Sequence, residues 1–240
     1  MEPLSAVIVT NADRIRETAP NRDVQREALL FKIQAVPALR EALFANALGR
    51  RSQHGDEIAA FEEFAAKGYA GTRLEDVAAR AKVSKGLPYL YFKTKEDILL
   101  ATLDYRLDAI TVMLEEWDRE HRTPVERLRR FVRMLVNSRQ STAEYGCPMG
   151  SLNTELGKDQ GDLQEQAENL FKIFENWLSD QFAELGYAGR ARELALRLMA
   201  FGQGINVMAH VHSDPAFLRR EKDHLANWLE QLADGNDDCA

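Results

Sequence analysis

The stretch from Thr72 to Lys95 constrains the fold more than any other, because it holds two helix-start signals with almost no room for a loop between them. Thr72 and Glu75 form a capping-box pattern, in which the two side chains satisfy exposed backbone amides where a helix begins. Ser84 is a second favourable N-cap residue. The pattern predicts two short consecutive helices, a helix-turn-helix, whose second helix lies in the major groove of DNA.

The charges in this stretch fit contact with DNA. The whole chain carries a formal net charge of -7, yet no acidic residue stands between Val77 and Lys95. The same interval contains the basic residues Arg80, Lys82, Lys85, Lys93 and Lys95. A local positive field, rather than the net charge of the chain, decides whether a surface can lie on phosphates.

A set of residues at fixed spacing extends this pattern on both sides, from about Asp56 to Leu103. They are Phe61, Phe64, Lys67-Gly68-Tyr69, Thr72, Asp76-Val77-Ala78, Val83-Ser84-Lys85-Gly86, Tyr89, Tyr91-Phe92 and Lys95-Glu96. Together they resemble the N-terminal domain of the TetR family of bacterial transcriptional regulators. The resemblance implies a homodimeric repressor whose C-terminal domain binds a small molecule.

Pro88 departs from the pattern of that family, which usually has Leu, Ile or Val at this point of the recognition helix. Proline removes an amide donor and crowds the preceding turn. We therefore expect a kinked or partly 3₁₀ recognition helix that still binds DNA.

The composition, rich in Ala, Leu, Glu and Arg with few β-branched runs, favours an all-α fold. We expect an N-terminal extension at 1–54, helical or partly disordered, and a three-helix DNA-binding domain with the helix-turn-helix at 55–101. A helical bundle for ligand binding and dimerisation should follow at 102–233, with a tail at 234–240.

Capping signals and apolar periodicity place the individual helices. They predict helices over Asp56–Lys67, ended by Gly68, and over Lys95–Glu120, then from Pro124 to about Ser141, from Asp162 to Gly186, over Arg190–His212, and from Pro215 to about Leu232. The glycines and prolines between 144 and 161 predict a loop with one short helix at Ser151–Leu156.

The candidate DNA-binding residues fall into two groups. Side chains on the front of the second helix can read base edges, and there we place Lys85, Gly86, Leu87 and Tyr89. Following the family pattern position by position, we assign to the phosphate backbone Thr72, Arg73, Ser84, Tyr91 and Lys95. A purely structural role competes at three positions, because Thr72 and Ser84 are helix caps in any case and Leu87 fits a core.

The small-molecule site is predicted in the C-terminal bundle, among aromatic residues and a few polar groups. The candidates are Tyr105, Trp117, Phe131, Met134, Tyr145, Cys147, Met149, Phe174, Trp177, Gln203 and Asn206. Plain core packing is the stronger explanation for most of them, because any helical bundle needs an aromatic stripe at helical spacing. Gln203 and Asn206 are the better indication of a site, because buried polar groups need partners. The small residues of Arg190–His212 favour a four-helix dimer interface formed by the last two helices.

These patterns favour a ligand-responsive repressor that a small molecule releases from a near-palindromic operator. We predict no enzymatic activity, no cofactor and no metal; His210 and His212 point to different sides of a helix. Without a membrane-spanning stretch or a signal sequence, the protein should be cytoplasmic.

Three other hypotheses stay open. Cys147 allows a redox or electrophile sensor of the same fold, although a packed loop thiol is the stronger explanation of this residue. With His210, His212 or His224 as base, it also allows a thiol enzyme. A nonspecific architectural DNA-binding protein is the third.

Overall fold

The computed structural model describes residues 59–80, 85–86, 88–90, 92–137, 143, 146–159 and 161–236. Helices are its regular elements, and no strand occurs among these residues, which confirms the all-α prediction. The α-helices are α1 (Ala59–Gly71), α2 (Leu74–Arg80), α3 (Lys95–Glu120), α4 (Pro124–Asn137), α5 (Pro148–Asp159), α6 (Gly161–Phe182), α7 (Ala191–Val211) and α8 (Pro215–Ala233). The predicted N-terminal extension at 1–54 lies outside the described residues.

The described residues divide into two compact units. The first contains 59–63 and 72–104, and the second contains 64–71 and 105–236. The second half of α1 therefore groups with the C-terminal helices. None of the helices described in either unit is both long and apolar enough to cross a bilayer.

The end of α1 and the start of α2 lie close to the positions predicted from the sequence. Gly68 has a positive φ of 74°, as the predicted helix stop requires, and a last turn follows to Gly71. The second helix begins at Leu74, two residues after the predicted start at Thr72. Asp76, rather than Glu75, supplies the carboxylate at this helix start, because its Oδ2 accepts the Arg73 amide at 3.0 Å.

The helix starts at α3 and α4 are those that the capping signals predicted. The Thr94 amide donates to Asp97 Oδ2 at 3.1 Å, and the Asp97 amide donates to Thr94 Oγ1 at 3.1 Å. At α4, the Thr123 amide likewise donates to Glu126 Oε2 at 3.1 Å. Each box satisfies amides that a helix start leaves without a partner.

The helix predicted at Ser151–Leu156 is present but longer, because α5 runs over Pro148–Asp159, and of the predicted loop Gly146 and Cys147 are non-helical. Proline is compatible with the first turn of a helix, where its missing amide has no intrahelical acceptor. The Ser151 amide donates to the Cys147 carbonyl at 2.9 Å and closes that first turn. Glycine at 150 and 157 therefore lies within a helix rather than marking a loop.

The core of the second unit lies among α3, α4, α6, α7 and α8. Its most deeply buried side chains are apolar and recur at helical spacing, among them Leu128, Leu170, Leu178, Phe182, Leu194, Leu198 and Leu229. Leu107 of α3 is only half-buried. At the start of α8, Asp214 Oδ1 accepts the Ala216 amide at 2.9 Å, as the Asp-Pro cap predicted.

Candidate nucleic-acid interface

The segment after α2 presents a short exposed turn, followed by one turn of 3₁₀ helix. Lys85 and Gly86 are exposed in the turn, and Pro88–Leu90 is the 3₁₀ helix. Pro88 is buried, and its carbonyl accepts the Phe92 amide at 2.8 Å. The predicted 3₁₀ geometry at Pro88 is thereby confirmed for the described residues.

Tyr89 is the large side chain that this turn presents to solvent, with 50% of its surface exposed. Its hydroxyl donates a hydrogen bond to Glu75 Oε1 of α2 at 2.6 Å. That bond is the main reason why the pKa of Glu75 is lowered and the pKa of Tyr89 is raised. Glu75 thus fixes the direction of a ring assigned to DNA, a role that sequence reasoning missed by giving Glu75 to the capping box.

The other predicted DNA residues are placed as follows. Arg73 is exposed before α2, and Lys95 is half-buried at the first position of α3. Thr72 is 1% exposed, which favours the structural role that its capping pattern also indicated. The remaining candidates, Ser84, Leu87 and Tyr91, lie outside the described residues.

Most aromatic candidates for the small-molecule site pack against one another in pairs. Trp117 meets Trp177 edge-on with ring centroids 5.7 Å apart, and Phe131 meets Phe174 in the same way at 5.6 Å. The Trp177 Nε1–H donates to Asp118 Oδ1 at 3.0 Å. These contacts favour a core-packing role for the four rings. Tyr105 and Met134 are half-buried, and Tyr145 lies outside the described residues.

The polar candidates gather where α5 meets α7. A Cβ atom built on Gly150 would lie 2.7 Å from Gln203 Oε1 and 3.6 Å from Cys147 Cβ, so the two helices approach closely here. Asn206 is 6% exposed, and its Oδ1 has no hydrogen-bond partner among the described residues. Helical periodicity puts Gln203 and Asn206 on one side of α7. We name Cys147, Gly150, Gln203 and Asn206 the α5–α7 polar cluster; Cys147 and the neighbouring Met149 are half-buried.

A second face of α7 carries an exposed apolar stripe. Its members share one face of the helix and keep between 42% and 66% of their surface exposed: Leu196, Phe201, Val207, Met208 and Val211. Gly204 lies on the same face, and no atom of the described residues, its own stretch of helix backbone aside, comes within 4 Å of a Cβ built there. Exposed apolar side chains that share one face of a helix are typical of an association site.

Comparison with known proteins decides the family. Residues 59–102 match the model of the bacterial regulatory proteins of the tetR family, and residues 124–224 match the C-terminal domain of LmrA/YxaF-like transcriptional regulators. The fatty acid metabolism regulator protein of Bacillus subtilis is 31% identical over 150 residues, which are 60% of this chain and 75% of that protein. The chain belongs to the TetR family of bacterial transcriptional regulators. The resemblance read from the sequence is confirmed.

Other similar proteins share the helix-turn-helix type or the fold. A helix-turn-helix-type regulator of Lactococcus lactis is 26% identical, and the match covers 50% of this chain and 62% of that protein. A TetR-family regulator from Streptomyces coelicolor has the same fold, with a TM-score of 0.63 at 17% identity over 82% of this chain and 97% of that one. The regulator FadR of Bacillus subtilis, solved with stearoyl-CoA, gives a TM-score of 0.56 at 23% identity over 74% of this chain and 95% of that one.

Proposed function

We propose that this TetR-family regulator is a homodimeric repressor that binds a near-palindromic operator and leaves it when a small molecule binds the C-terminal helices. The observation that carries the DNA-binding part is the exposed turn at Lys85 and Gly86, next to the half-exposed ring of Tyr89. This turn comes after α2 in the chain, which is the place of the reading segment in a helix-turn-helix.

The exposed stripe on α7 supports the homodimer. Two copies of a self-complementary helix face can associate about a two-fold axis, with α8 completing a four-helix interface. Such a dimer presents two reading segments on half-sites separated by about one turn of duplex or a multiple of it. The operator should therefore be close to palindromic.

The α5–α7 polar cluster supports an effector site in the second unit. The unpaired Asn206 Oδ1 is an acceptor that a ligand N–H or O–H group can satisfy. The 31%-identical relative is a fatty acid metabolism regulator, and FadR was solved with stearoyl-CoA, so a long-chain acyl-CoA is the first compound to test.

Release from the operator follows from a difference between the ligand's affinities for two arrangements of the dimer. A ligand that binds one arrangement of the dimer more tightly shifts the population toward it, and the Lys95–Glu120 helix α3 transmits the change to the reading segments.

The test begins with genomic fragments recovered by the purified protein, followed by footprinting of the bound fragments. We expect a protected near-palindrome whose affinity falls when stearoyl-CoA is titrated. A lone asymmetric half-site would contradict the dimer. An affinity that stays constant through the titration would remove stearoyl-CoA as the effector.

A thiol sensor is the second candidate, because half-buried Cys147 lies at the start of α5 within the polar cluster. Mild oxidation should then abolish operator binding, reductant should restore it, and Cys147→Ser should remove the response. Operator binding that survives oxidation unchanged would exclude this candidate.

A further inference from the structure

The side chain of Glu155 joins α5 to the end of α1. Its Oε2 accepts the Tyr69 amide at 2.7 Å, and its Oε1 accepts the Ala70 amide at 2.7 Å. One carboxylate thus binds two consecutive backbone amides of the last turn of α1. Hydrogen bonds from amides to an ionised acceptor are short and about twice as strong as neutral ones.

Gly68 is fitted to this contact in two ways. Its φ of 74° is a conformation that side chains rarely adopt, and a Cβ atom at this position would lie 2.8 Å from Glu155 Oε2. Tyr69, the next residue, is buried and lies beside Phe64 with ring centroids 5.9 Å apart. The turn that presents the two amides is therefore held by backbone geometry and by an aromatic anchor.

The N-terminal part of the same helix α5 contributes Gly150 to the α5–α7 polar cluster. Gly150 lies against Gln203, and Glu155 follows five residues later, which corresponds to about 7.5 Å along a helix axis. A packed helix moves as a rigid element, so a displacement of α5 at Gly150 also displaces the Glu155 carboxylate.

We propose that Glu155 is a latch: its carboxylate holds the last turn of α1, immediately before Thr72, in the conformation required for operator binding. Occupation of the α5–α7 polar cluster shifts α5 and weakens this hold. The latch rests on the proposed function and adds the element through which the effector site is coupled to the DNA-reading segment. Glu155 is a positioning residue and contacts neither DNA nor ligand.

The test compares Glu155→Gln with Thr154→Ala in the full-length protein. Glutamine keeps the size of the side chain but provides only one acceptor oxygen and no charge. Thr154 is the neighbouring control, because it is exposed and its hydroxyl bonds only to the Gly150 carbonyl of its own helix among the described residues, at 2.9 Å. Circular dichroism first verifies that both variants keep the helical content of the wild type.

Two readouts follow. Amide hydrogen exchange at Tyr69 and Ala70 should accelerate about ten-fold or more in Glu155→Gln, the size expected for losing a hydrogen bond to a charged group. The affinity for the recovered operator should fall about ten-fold, whereas affinity for unrelated DNA should stay the same. Thr154→Ala should change neither quantity.

The outcomes separate the latch from the proposed function. A wild-type protein that selects no DNA sequence overturns the proposed function. Specific wild-type binding that Glu155→Gln leaves unchanged overturns the latch, and so does unchanged exchange at both amides. Gly68→Ala should reproduce the Glu155→Gln phenotype, and the double variant should be no worse than Gly68→Ala alone, because both changes break one contact.

Discussion

Replacement of Val207 by alanine tests the dimer through the exposed stripe of α7. Val207 keeps 55% of its surface exposed in the protomer, so that fraction is available for burial in the dimer. The change removes two methyl groups, and each costs about 0.8 kcal/mol when it is fully buried. Burial of the 55% that is exposed therefore gives about 0.9 kcal/mol per copy and about 1.8 kcal/mol per symmetric dimer. The dimer dissociation constant should rise about twenty-fold.

Sedimentation equilibrium over a range of protein concentrations measures this constant directly. Val112→Ala is the matched control, because Val112 is 52% exposed and lies on α3, which is not one of the two helices proposed to associate. Alanine favours helix at both sites, so neither change should unfold the protein. The reasoning is refuted if the two variants weaken dimerisation equally, or if Val207→Ala leaves it unchanged.

Three further predictions follow from individual contacts. Tyr89→Phe should return the pKa of Glu75 toward its ordinary value in an NMR titration and lower operator affinity; an unmoved pKa would show that the bond is not formed in solution. Trp177→Phe should lower the free energy of unfolding by about 2 kcal/mol in urea, because the hydrogen bond to Asp118 is lost; an unchanged urea midpoint would contradict this. The hydrogen bond from Arg220 of α8 is the main reason why the pKa of Asp214 is lowered. The contribution of the Asp214 carboxylate to stability is therefore complete above the ordinary carboxyl pKa and is lost as pH falls through the lowered value. Asp214→Asn, which keeps the cap, should flatten this acid limb in thermal unfolding, and an unaltered limb would assign it to other groups.

Local signals predicted the elements whose causes are local. The paired caps at Thr94 and Thr123 placed the starts of α3 and α4 correctly, because each box involves side chains and amides within four residues. Pro88 predicted its own 3₁₀ turn for the same reason: ring geometry and a missing donor act on adjacent residues.

The errors arose where distant contacts decide. Glu75 fits a capping box by spacing, yet it bonds to Tyr89, fourteen residues away along the chain. Glycines at 150 and 157 indicated a loop, although packing against α7 and α6 accommodates them in α5. The Glu155 contact with Tyr69 spans 86 residues, and no periodicity or capping pattern marks it.

Pro88, buried in the segment that we propose reads DNA, also limits how recognition can be transferred between relatives. In a 3₁₀ turn successive side chains are separated by about 120° around the axis, compared with about 100° in an α-helix. A side chain grafted from an α-helical reader onto Tyr89 would therefore leave the backbone in another direction. If this segment reads DNA as proposed, a change of DNA sequence specificity requires the exchange of Pro88 together with the residues that follow it.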